Sequence, residues 1–323
     1  MATAIRIHEA GGPEQLKVEE IEVGDPAPGE VLIRHTAVGL NFIDTYQRSG
    51  LYPMALPATL GMEAAGVVEV LGDGVAGLEP GDRIAYPMTG GAYCTARTIP
   101  AEKVVKIPDS VDDQTAAAMM LKGMTVEYLL CRTFPLVAGQ TILFHAAAGG
   151  VGLIACQWAK SIGATVIGTV STDEKTELAL AHGCDHALIA GREDIAERVK
   201  ELTDGQGVPV VYDSVGADTF EASLASLAPR GMMVSFGQSS GPVTSFDPAR
   251  LAAGGSLFYT RPGLGNYIAT REDLELSAQR LFNMVGSGKV AINVNQTYPL
   301  VQTQQAQRDL EGRKTTGSTV LLP

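Results

Sequence analysis

The sequence predicts an α/β protein of two domains, one built on a six-stranded parallel sheet and the other β-rich and mostly antiparallel. Three observations predict it. Between about residues 124 and 264, apolar strand-like runs alternate with helical runs. Residues 1 to about 123 consist instead of short alternating runs broken by Gly, Pro and Asp. Finally, 323 residues are more than one hydrophobic core usually organises.

In chain order, EVLIRHTAVGL, AAGVVEVLGDGV, GDRIAYP and KVVKIP alternate in the manner of half-buried antiparallel strands. The texture then changes. The strands TILFHAA, TVIGTV, HALIA, VPVVYDSV, MMVSFG and SLFYTRP show little polar alternation, which means burial on both faces. Between them lie GGVGLIACQWAKSIG, DEKTELALAHG, DIAERVKELTDG, GADTFEASLASL and DPARLAAGG, the helical crossovers that parallel strands require. The last part, REDLELSAQRLFNMVGSGK and a short strand-like tail, returns to a helix and edge strands.

Composition excludes several classes. Apolar residues at 45% and charged residues at 19% describe a globular chain, not a disordered one. No apolar stretch reaches the roughly 18 residues of a membrane span, and MATAIRIHEAGG lacks an apolar signal core. A net charge of −12 repels a phosphate backbone, so nucleic acid is not the expected partner. Cys94, Cys131, Cys156 and Cys184 stand alone, without ligand spacing, which fits a reducing cytoplasm and neither disulfides nor structural zinc. Cys156, in the apolar LIACQWAK, reads as a buried hydrophobe.

The stretch TILFHAAAGGVGL, residues 141–153, decides the ligand. It ends the first strand of the βαβ series and opens its first helix, where a dinucleotide's pyrophosphate binds. Ala147 occupies the first slot of the G-x-G-x-x-G fingerprint, while Gly149 and Gly152 fill the second and third, with Gly150 and Val151 between them. The second strand ends at Ser171 rather than at a carboxylate, and Lys175 follows on the next helix. A hydroxyl and an ammonium suit a 2′-phosphate, so NADPH is the expected cofactor; Asp173 and Glu174 nearby oppose it, and a simple helix cap is the alternative.

Together, HAAAGGVG, GLNFIDTYQRSGLYP, LKGMTVEYLL, VVYDSVG, VSFGQSSG and LFYTRP resemble the zinc-free medium-chain reductases, the zeta-crystallin-like branch, over the whole chain. The resemblance implies a GroES-like catalytic domain, residues 1–123 and 265–323, around a Rossmann dinucleotide-binding domain, residues 124–264. It also implies a cleft between them and a homodimer. Zinc-dependent relatives carry G-H-E, an early Cys ligand and a four-cysteine lobe. Here the segment is Gly61-Met62-Glu63, the early position is Asn41 and no cysteine cluster exists, so no metal is expected.

Without zinc, alcohol oxidation loses its Lewis acid, whereas a quinone is already an electrophile. Quinone reduction by NADPH is therefore the expected activity. The resemblance places Asn41, Asp44, Tyr46 and Tyr52 beside the nicotinamide, and of these Asn41, Tyr46 and Tyr52, able to donate to a developing oxyanion, are the candidate catalytic residues. Packing beside Pro53 is the alternative role for Tyr52. The same resemblance implies Asn41, Phe42, Asp44 and Tyr46 at the cofactor, Asp44 bonding ribose or orienting a neighbour. The resemblance adds Thr125, Tyr128, Phe236, Gly237, Ser239, Ser240, Tyr259, Thr260, Arg261 and Arg313 as cofactor contacts. One departure stands out. Where relatives carry Asn-Tyr after the third strand, this chain has Ala190-Gly191-Arg192, so Arg192 either supplies charge or pairs with Glu193 at the surface. His145 reads as a satisfied core histidine. Two alternatives stay open: conjugate reduction of an enal or enone, and an NADPH-binding structural or regulatory role.

Overall fold

The computed structural model describes all residues from Met1 to Pro323 as two compact units. The first comprises Met1–Met124, Ile268–Gly286 and Ile292–Pro323; the second comprises Thr125–Tyr267 and Ser287–Ala291. No helix is long and apolar enough to cross a membrane. The sequence pattern groups Ser287–Ala291 with the carboxy-terminal stretch, but Ala291 is held in the second unit. Its N–H donates to Gln157 Oε1 at 2.8 Å, and its carbonyl accepts from Gln157 Nε2 at 3.0 Å.

The first unit opens with strands β1 (Ala2–Ile7), β2 (Lys17–Ile21) and β3 (Glu30–Leu40), then helix α1 (Phe42–Ser49). Strands β4 (Ala58–Thr59), β5 (Glu63–Leu71), β6 (Arg83–Pro87), β7 (Ala96–Pro100) and β8 (Val105–Lys106) follow, and then helix α2 (Asp113–Tyr128), inside which the unit boundary falls. In the second unit, strands and helices alternate: β9 (Thr141–Phe144), α3 (Gly150–Ile162), β10 (Thr165–Val170), α4 (Asp173–Ala181), β11 (His186–Ile189) and α5 (Ile195–Leu202). They continue as β12 (Val208–Asp213), α6 (Phe220–Ala225), β13 (Leu227–Ser235), α7 (Ala249–Ala253), β14 (Phe258–Thr260) and α8 (Leu264–Tyr267). The chain closes with α9 (Arg271–Gly286), β15 (Val294–Pro299), α10 (Thr303–Glu311) and β16 (Ser318–Leu322).

In the first unit a seven-stranded sheet runs β15-β16-β3-β5-β6-β8, with β7 also on β3, and β2-β1-β4 form a smaller sheet. The alternation in β3 puts Val31, Ile33 and Ala37 in the core with no exposure. Ile5, Ile33, Leu40, Tyr86 and Tyr93 build that core. The second unit's six strands run β11-β10-β9-β12-β13-β14, all parallel. This confirms the parallel sheet read from the strand texture. Leu143, Ile167, Val211, Phe220 and Met233 pack its core. Helix starts obey local chemistry: Thr172 caps α4 by accepting from Lys175 N, and Asp194 caps α5 by accepting from Glu197 N.

Candidate active site

In the second unit, the expected cofactor residues Gly149, Gly150, Val151, Ser171, Arg192, Phe236 and Gly237 follow the carboxyl ends of β9, β10, β11 and β13, where parallel α/β folds bind ligands. Helix α3 starts at its N-cap Gly149, which supplies no side-chain acceptor, so the first-turn amides at Gly150 and Val151 can meet an anion. The left-handed turn is made by Ala146, at φ 57°, and not by a glycine. The glycines serve space instead. A Cβ on Gly152 would stand 2.6 Å from the Ala147 carbonyl carbon and closer still to Ala146 O. The helix could not then approach the strand end.

A buried hydrogen-bond chain fixes Ala146. Thr169 Oγ1 accepts from Ala146 N at 3.3 Å and bonds His145 Nδ1 at 3.0 Å. His145 Nε2 meets Ser223 Oγ at 2.9 Å, and that hydroxyl donates to Asp213 Oδ2 at 2.6 Å. Since Ser223 spends its proton on Asp213, His145 carries its own on Nε2 and accepts from Thr169. Burial holds the imidazole's pKa down, against the opposing charge of Asp213. His145 is thus the satisfied core histidine that the sequence suggests, and it shapes the loop. Asp213 also takes the N–H groups of Val215 and Gly216 and the hydroxyl of Thr219.

The loops after β10 and β11 lie side by side, joined by Ala190 N donating to Val170 O at 2.8 Å. Ser171 is exposed and Lys175 half-buried. Arg192 does not pair with Glu193. Its Nη1 donates to both carboxylate oxygens of Asp173, at 3.0 and 2.9 Å, because the turn at Gly191 brings it over the start of α4. Glu193 instead accepts from Ile189 N and pairs with Arg198.

At the end of β13, the Phe236 ring packs 5.8 Å from Phe144, and a Cβ on Gly237 would collide with Ser214. Ser239 is exposed, while the Ser240 hydroxyl donates to Val215 O and accepts from Asp218 N. Arg261 reaches back to Ser235 O and Gly237 O, at 2.9 and 3.0 Å, so it holds this loop. Tyr259 sits among Phe220 and Phe246, and Thr260 ends β14 half-buried. Thr125 and Tyr128 are buried on the last turn of α2, with Tyr128 stacked 4.4 Å from Tyr267.

In the first unit, Phe42 and Tyr46 on α1 meet Tyr52 just beyond its end: the Tyr46 and Tyr52 rings meet edge-on at 5.3 Å, and Phe42 lies 6.2 Å from Tyr46. Behind them is a buried polar network. Glu63, with no exposure, accepts from Asn41 Nδ2 at 2.8 Å, Lys122 Nζ at 2.8 Å and Leu121 N at 2.7 Å. Asp44 Oδ2 accepts from Asn41 N at 2.8 Å and Tyr93 OH at 2.7 Å, while its Oδ1 is buried without a partner. Burial pushes the Asp44 carboxyl up to about 7, against the hydrogen bonds from Tyr93 and Asn41. Met62 Sδ accepts from Gln47 Nε2 at 3.3 Å. No group of three or more His, Cys, Asp and Glu is placed to hold a metal. Arg313, left-handed at φ 58° beyond α10, is exposed.

Glu63, Lys122 and Tyr93 are the members that sequence reasoning missed. A signal was present: one Glu in EAAGVV and one Lys in AAAMMLKGMTV are lone opposite charges in apolar runs, and such charges are buried only when paired.

Residues 27–138 match the alcohol dehydrogenase GroES-like domain, and residues 150–276 match the zinc-binding dehydrogenase domain. The chain is 52% identical to a quinone oxidoreductase of Pseudomonas aeruginosa, covering all of both chains. It is 45% identical to a 2-haloacrylate reductase of a Burkholderia species, over all of this chain and 99% of the relative. The crystal structure of Escherichia coli quinone oxidoreductase complexed with NADPH superposes with a TM-score of 0.98 at 49% identity, covering 99% of this chain and 100% of that one. Fold, domain matches and full-length identity agree: the chain belongs to the quinone oxidoreductase family of the medium-chain dehydrogenases and reductases.

Proposed function

We propose that the protein is an NADPH:quinone oxidoreductase that works without a metal and as a homodimer. The observation that carries this reading is the state of Glu63. In a G-H-E relative this segment belongs to a zinc centre; here three donors, one of them an ammonium, already occupy the carboxylate. A cation would have to displace Lys122, and Asn41 and Met62 are poor ligands for it. The acceptor must then be one that needs no Lewis acid, and a quinone is such an acceptor.

The residues present fit the dinucleotide. The uncapped α3 N-terminus suits a pyrophosphate, and Lys175 and Ser171 suit a 2′-phosphate beside the Arg192–Asp173 pair. When bound, NADPH supplies a hydride from the nicotinamide C4. Asn41, Tyr46 and Tyr52 serve the acceptor by position and by hydrogen bonds to its developing oxyanion. Phe236, Gly237 and the β14 end supply further cofactor contacts in the second unit, with Arg261 fixing the loop after β13. β14 is a sheet edge whose Phe258 is 56% exposed, and pairing with its own copy closes that edge.

A 45% identical relative named 2-haloacrylate reductase supports a second reading, hydride transfer to an activated C=C bond followed by protonation. Steady-state NADPH oxidation against quinones and enals, with NADH and with chelator, tests both. Quinone turnover that resists chelation is expected. Tyr52→Phe should lower quinone kcat/KM by about ten- to a hundredfold, the value of one hydrogen bond to a charged group. A loss of a hundred- to ten-thousandfold, with a large solvent isotope effect, identifies an obligate proton donor instead.

A further inference from the structure

We infer that Glu63 and Lys122 are positioning residues for Asn41: the buried ion pair fixes which way the Asn41 amide faces. The inference rests on the catalytic reading of Asn41 proposed above. An Asn amide can turn its oxygen and its nitrogen through 180° at little cost unless a neighbour distinguishes them. Glu63 distinguishes them. Its carboxylate can only accept, so it compels Asn41 to present Nδ2, at 2.8 Å. One amide hydrogen is thereby taken, and the other is left in a defined direction.

Three features keep Glu63 in that state. Lys122 Nζ lies 2.8 Å from the same oxygen, with side-chain exposures of 7% and 0% for Lys122 and Glu63, so the negative charge is compensated where water cannot reach it. Leu121 N holds the second oxygen at 2.7 Å. The neighbouring strand makes room: a Cβ on Gly39 would overlap Glu63 Oε1 and Ala117 O, so β3 can pass only as glycine. Besides Lys122 from α2, the ionisable groups acting on this site are Asp44 from α1 and Tyr93 from the loop before β7. Neither bonds Glu63. Asp44 instead takes the backbone N–H of Asn41, so backbone and side chain of one residue are fixed by separate carboxyl groups.

The pair Glu63→Gln/Lys122→Met removes both charges together and leaves no uncompensated ion. The substituted side chain then has one oxygen for two donors. The backbone N–H of Leu121 cannot rotate away, so it claims that oxygen, and the introduced NH2 group faces Asn41 and turns the Asn41 amide round. Turnover and thermal melting are measured for this double variant, for Asn41→Ala and for the triple combination, as a cycle that isolates coupling. The double variant should lose about three- to tenfold in kcat, with KM for NADPH within about twofold. In the Asn41→Ala background the same pair of changes should alter kcat by less than about twofold. An equal loss in both backgrounds overturns the inference and leaves the pair a merely structural bridge. Wild-type turnover in Asn41→Ala overturns the role of Asn41 itself, and the pair's with it. A measurement on the unaltered protein stands beside the variants: with 15N-labelled asparagine, and the Asn41 signal assigned through Asn41→Asp, one side-chain amide proton should exchange with solvent at least about tenfold more slowly than those of exposed asparagines. Fast exchange of both protons overturns the inference even if the double variant does not fold.

Discussion

Replacing Gly152 by alanine opposes two physical effects whose sum is predictable. Within a helix, Gly→Ala is worth about 1 kcal/mol of added stability. Against this stands the contact of the new Cβ with Ala146 O and with the Ala147 carbonyl carbon, 2.6 Å away, both backbone atoms that no side-chain rotation can move. Overpacking of this kind costs typically 1–3 kcal/mol, and a backbone obstacle puts it near the upper end. The net loss is about 2 kcal/mol, or roughly 4–8 °C in Tm for a unit of this size. Gly149→Ala is the control. At φ −79° its backbone suits any residue, and its Cβ would lie 3.2 Å from Ala146 O. The weaker N-cap costs only about 0.5–1 kcal/mol, while the added methyl group stands on the residue that opens α3, where the pyrophosphate is proposed to bind. Calorimetry without cofactor and NADPH fluorescence titration read the two effects separately. Gly152→Ala should melt early. Gly149→Ala should melt almost normally and bind NADPH about tenfold more weakly, about 1.4 kcal/mol. A Gly152→Ala protein that melts at or above the wild type, or a Gly149→Ala protein that binds normally, refutes the close-approach argument.

Three further outcomes are expected. Lys175→Ala should raise KM for NADPH by about 1–2 kcal/mol, roughly five- to thirtyfold, with NADH little changed, as one charge-assisted contact would; equal effects on both cofactors would remove Lys175 from the 2′-phosphate. Asp44 has its carboxyl raised from 3.8 to about 7, so the folded state holds a proton that the unfolded chain has released. Its stabilisation is present below about pH 4 and is lost as pH rises to about 7, so Asp44→Asn should gain on the wild type by up to about 1.4 kcal/mol per pH unit in that window; a pH-independent difference in denaturant melts would contradict it. Phe258→Asp should convert a dimer to a monomer in sedimentation experiments at micromolar concentration, and a monomeric wild type would defeat the edge-pairing proposal.

Much of this molecule was legible along the chain. The strand texture of the second unit and its parallel order follow from apolar runs that must be covered on both faces, a property each run carries in its own residues. The strand–glycine–helix transition at residues 141–153 likewise marked the α3 N-terminus, because helix starts are set by local spacing. Even the likeness to zinc-free reductases rested on short contiguous motifs.

What the tertiary structure alone decided is pairing at a distance. Nothing in the local pattern of Arg192 separates Asp173 from Glu193 as its partner, since the choice depends on a turn that brings a strand end over a helix start. The loop-bearing histidine needed Ser223, 78 positions away, to fix its proton. Glu63 needed Lys122, 59 positions away, to be tolerable in the core at all. A sequence states periodicity, and periodicity determines which faces are buried. The free energy of a buried charge or amide depends on which atoms surround it in three dimensions, and only folding brings those atoms together.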